Sequence, residues 1–121
     1  LKILAKSWSA KLMAVSDGHI YWIDENSQVL KRARIDDDLS SPEILEENCS
    51  IVALAVFHDK LYWHEKGLPH LVEGVLTDRG LKPNWILDAN CAVKHLACGP
   101  DTSLLWVDQG SQVLMRGFVN W

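Results

Sequence analysis

No apolar run in this chain approaches the roughly 20 residues of a membrane-spanning helix, so no helix is expected to cross a bilayer and no direct membrane insertion is expected. Positive charge is also scarce. Twelve Lys and Arg face sixteen Asp and Glu, and the one basic cluster (Lys31, Arg32, Arg34) runs straight into Asp36, Asp37 and Asp38. A nucleic-acid partner needs a clustered basic footprint, and none is expected here. Cysteine is limited to Cys49, Cys91 and Cys98, an odd number without a C-x-x-C spacing, which argues against a zinc knuckle and for buried free thiols. Asn48-Cys49-Ser50 is a sequon, compatible with a secreted protein. Helical periodicity is missing throughout, so almost no helix is expected. There is no Gly-x-Ser-x-Gly elbow and no glycine-rich phosphate loop, which removes the common bases for an enzyme or a nucleotide cofactor. His58, His64 and His70 are evenly spaced by six, but a turn and a loop separate them on the strand reading, so no metal is expected. No signal segment is visible, and the chain opens mid-pattern at Leu1, as a fragment would.

Tyrosine is rare too, and its placement is informative. Both tyrosines, Tyr21 and Tyr62, directly precede a tryptophan, in "IYWID" and "LYWHE". A third, weaker copy is "LLWVD", and the tryptophans Trp22, Trp63 and Trp106 lie 41 and 43 residues apart. After one free position each word carries an acid: Asp24, Glu65 or Asp108. Downstream, "DENSQVLKRARID" and "DQGSQVLMRGFVN" share Asp, Ser, Gln, Val, Leu and Arg at an offset of 84, two periods. "NCSIVAL" and "NCAVKHL" agree at an offset of 42. A period of this size marks stacked supersecondary units.

Each unit reads as four short strands. In the middle unit the continuous apolar run Ala53–Phe57 predicts an inner strand and His58-Asp59 a tight turn. Lys60–His64 predicts the second strand and His70–Leu76 the third. "TDRGLKP" (77–83) predicts a turn, and Asn84–Leu87, with Trp85, an outer strand. Runs of four to six residues are too short for a helical solenoid, and a plain β-sandwich would not need the same words at fixed spacing. The expected fold is therefore all-β. It is a β-propeller segment of about three four-stranded antiparallel blades over residues 1–121, with an isolated outer strand at 1–5 and repeat units near 12–45, 53–87 and 95–120. A ring of three blades is below the usual range, so the rest of the propeller is expected from the same chain or another.

Ile20-Tyr21-Trp22-Ile23-Asp24, followed by Val29 to Arg32, Ala33 and Ile35-Asp36, resembles the YWTD repeat, the class B repeat of low-density-lipoprotein receptors. The sequence departs from that pattern in having no Thr at the third motif position, no Pro-Gly before the inner strand, and Asp37 where a Gly would follow Leu-Asp. A second resemblance is to propellers of the regulator-of-chromosome-condensation type. It is carried by "KHLACGPDTSLLWVDQG" (94–110), without that family's Trp-Gly or inner-strand His. The first resemblance implies six blades and a non-enzymatic, protein-binding module of an extracellular or cell-surface receptor, whose partners are protein ligands or neighbouring modules. The second implies an intracellular, cytoplasmic scaffold or regulatory subunit.

The motif residues Tyr21, Trp22, Asp24, Tyr62, Trp63, Glu65, Trp106 and Asp108 recur with the period, as structural residues do and a catalytic group need not. The acids are expected to accept hydrogen bonds from groups otherwise buried unpaired, with Arg32 and Arg116 as charge-assisted partners. Candidate protein-binding residues are the unrepeated ones: Trp8, flanked by serines, and the acidic run Asp36, Asp37 and Asp38, which could steer a basic ligand.

Overall fold

Short apolar runs and alternations, broken by turn residues, give strands here. The computed structural model describes all residues except 5–7, 48–49, 59, 68–69, 78–79, 89–92, 100–102 and 119–121, and gives backbone alone for 70 and 84–88. Eleven strands and no helix are present among the described residues. The chain divides into two compact units, Leu1–Cys49 and Ser50–Trp121.

The first unit holds one antiparallel meander: β1 (Ala10–Ser16), β2 (His19–Asp24), β3 (Leu30–Arg34) and β4 (Glu43–Glu46), in that order. The β1–β2 turn places Asp17 at φ 50° and Gly18 at φ 74°, the doubly left-handed backbone that matches the twist of a two-residue hairpin. The second unit holds two such sheets. One is β5 (Ile51–Phe57), β6 (Lys60–Glu65), β7 (His70–Thr77) and β8 (Gly80–Asp88); the other is β9 (Val93–Cys98), β10 (Ser103–Asp108) and β11 (Leu114–Phe118). Each of the three is an up-and-down antiparallel sheet, of four, four and three strands and one per sequence repeat, which is the strand order of a propeller blade.

Strand ends differ from the sequence reading at three places. The expected turn at 77–83 is tighter, because β8 already resumes at Gly80 and Pro83 pairs with Gly74. Proline is tolerated there because β8 is an edge strand, whose outward side needs no N–H donor. The fourth strand therefore runs well beyond Asn84–Leu87; the Trp85 side chain lies outside the described residues. The expected outer strand at 1–5 is not formed by Leu1–Leu4. A strand exists only on a partner edge, and this segment meets a charge instead: Lys2 Nζ lies 2.8 Å from Asp38.

Alternation fixes what each face carries. In β6, Tyr62 and His64 point to one face while Leu61 and Trp63 point to the other, and all four are buried. Ala53, Ala55, Tyr62 and Leu71 of the middle sheet join Val93, Leu96, Leu104 and Trp106 of the third in one core cluster, with Cys98 beside it. The tyrosine face of one sheet thus packs on the tryptophan face of the next. Burial pushes the free Cys98 thiol up to about 11, which leaves it protonated and inert near neutral pH. Cys49 and Cys91 lie outside the described residues.

Candidate functional site

The repeated acids sit where β2 and β10 run out, and there they tie their own loops. Asp24 Oδ1 accepts the backbone N–H of Asn26 at 2.9 Å and of Ser27 at 3.2 Å. Its own N–H donates to the Val29 carbonyl, its carbonyl accepts from Gln28 N–H, and the Gln28 amide donates to the Glu25 carbonyl at 2.9 Å. Two periods on, the loop is copied. Asp108 accepts the Gly110 N–H at 2.9 Å and the Ser111 hydroxyl at 2.9 Å, and the Gln112 amide donates to the Gln109 carbonyl at 2.7 Å. Gln28 and Gln112 share a left-handed backbone, φ 56° and 61°. The shared Asp, Ser and Gln of the two words are therefore one Asx-type turn built twice.

Two expectations about these acids need correcting. The bonds they make lie at the surface, so they shape an exposed turn and do not rescue buried groups. Nor, among the described residues, does an arginine partner Asp24 or Asp108. Arg32 stands opposite Tyr21 on β2 and opposite Glu43 on β4, and its guanidinium reaches Glu43 at 3.1 Å. Burial opposes the Arg32 charge, but hydrogen bonds to Tyr21 and Glu43, with the Glu43 carboxylate nearby, raise its pKa overall. Arg116 lies over the Phe118 ring, 4.6 Å from its centroid. Lys31 Nζ lies 3.9 Å from Asp24. Glu65 opens a different loop, the Lys66-Gly67 turn with Gly67 at φ 84°.

Hydrogen bonds to the charged form hold both aspartates below their usual range. For Asp24 the Asn26 N–H contributes most; for Asp108 it is the Ser111 hydroxyl, followed by the Gly110 N–H.

The tryptophans do steric work. The indole N–H groups of Trp63 and Trp106 are buried with no hydrogen-bond partner among the described residues, so these rings are held by shape. A Cβ built on Gly74 would stand 2.4 Å from Cζ3 and 2.7 Å from Cη2 of Trp63, and 2.9 Å from Leu81 Cδ1. Gly74 sits diagonally across the β6–β7 ladder from Trp63. The same diagonal is occupied by Ala33 for Trp22 and by Gly117 for Trp106. The sequence reading missed this constraint, although the small residues follow the 41 and 43 spacing of the tryptophans. It also missed a bulge where each inner strand begins: Lys11, Val52 and His95 are the unpaired residues, His95 at φ 53°.

The unrepeated candidates are separated by the fold. Trp8 lies beside the end of the first sheet where Glu25 N–H meets the Ser9 carbonyl, and it packs on Trp22 with ring centroids 4.6 Å apart. It remains 38% exposed, so one face is seated and the other open. Asp36–Asp38 lie at the opposite end, where Ile35 N–H meets the Gly18 carbonyl. Arg34 binds Asp36 in a two-pronged pair at 3.1 Å and approaches Asp37 at 3.9 Å, and Lys2 takes Asp38. Three exposed carboxylates thus meet two cations, which blunts the field available for steering. His58 is exposed in its turn while His64 is buried in β6, so these two of the evenly spaced histidines do not share a surface. Comparison with protein-family models finds none that matches this chain, and comparison with curated proteins finds no match.

Proposed function

We propose that this chain is a non-enzymatic protein-binding module, a piece of a β-propeller of the YWTD type carried by an extracellular, receptor-like protein. The observation that carries the reading is the seating of Trp8. Its ring is fixed on Trp22 yet partly open, and a rigid aromatic loses little conformational freedom when a partner covers it. The repeated aspartates support the reading from the other side, since their lone pairs are engaged in their own turns. Recognition falls to residues that do not repeat. The acidic turn contributes less than Trp8, because its charges are offset locally.

A photoreactive tryptophan analogue at position 8, presented to secreted and cell-surface proteins, tests this. The expected result is a cross-linked protein whose capture by the unmodified chain falls at least tenfold with Trp8→Ala, while unfolding of the variant stays cooperative. Binding that is indifferent to position 8 would sink the proposal. The intracellular scaffold is a second reading, favoured by the free thiol of Cys98 in the core. Non-reducing mass spectrometry of the chain from a secretory host separates the two: glycosylated Asn48 supports the first, and three free thiols with bare Asn48 support the second.

A further inference from the structure

We draw no further inference here: the strongest candidate, the surface patch at the β5–β6 turn of the middle sheet, where exposed Phe57 meets His58 edge to face and the register sets Lys60, Val75 and Lys82 in the same cross-strand row, carries nothing because nothing in the structure shows what covers it.

Discussion

At Gly74 a single hydrogen atom separates a good fit from a clash. A methyl group there would enter the Trp63 ring and meet Leu81, and the buried Trp63 ring is not the loose end of a flexible chain. Gly74→Ala should cost about 1–3 kcal/mol, the range for overpacking a filled core, read as a lower urea midpoint with an unchanged slope. Gly67 is the control: a Cβ there meets nothing within 4 Å, so only its φ of 84° resists, at about 1 kcal/mol. The aspartates give a pH prediction at the same scale. Asp24 and Asp108 have depressed pKa values when folded, so their contribution to stability is present above the ordinary aspartate value of about 3.9 and is lost as pH falls through the folded-state values. Asn at both positions should flatten the acid limb of stability against pH while leaving its shape near neutrality; a limb of unchanged steepness would place the acid sensitivity elsewhere.

At the level of elements, much was legible in the sequence, and the rest failed for physical reasons. Alternating apolar residues and turn signals located the strands of the middle repeat to within a few positions, because burial on one or both faces writes itself as a period. Pro83 misled the reading of 77–83, since proline forbids a central strand but not an edge strand, and edge position is a property of the assembled sheet. Bulges at Lys11, Val52 and His95 left no local mark, because a bulge is a matter of hydrogen-bond register between two segments. Of the candidate site, the acids could be placed from the sequence, but their partners could not: a cross-strand neighbour, Glu43, takes Arg32. That pair joins β3 to the short edge strand β4, and Glu43 is open to water, so a double-mutant cycle with Arg32→Gln and Glu43→Gln should return a coupling of only about 0.2–1 kcal/mol.

At the scale of the molecule, the shared core of the second unit makes its two sheets answer to one another. Trp106 belongs to the third sheet but is buried in the cluster that also holds Ala55, Tyr62 and Leu71. Trp106→Ala should therefore cost about 3–5 kcal/mol and speed amide exchange in β5 and β6 as well as in β9 and β10. Exchange mass spectrometry reads this directly, and a response confined to β9–β11 would mean that the sheets open independently. In the unaltered chain β11 should exchange faster than β3 or β7, because its outer edge has no fourth strand among the described residues.

The diagonal of tryptophan and small residue also governs how such a chain can change over generations. A lineage that enlarges Gly74 first loses the seat of Trp63, and one that shrinks Trp63 first leaves a hole beside Gly74. Either step alone is disfavoured, while the two together conserve volume. Substitutions at these positions should accordingly be inherited in pairs within a repeat, and each repeat carries its own pair: Trp22 with Ala33, Trp63 with Gly74, Trp106 with Gly117.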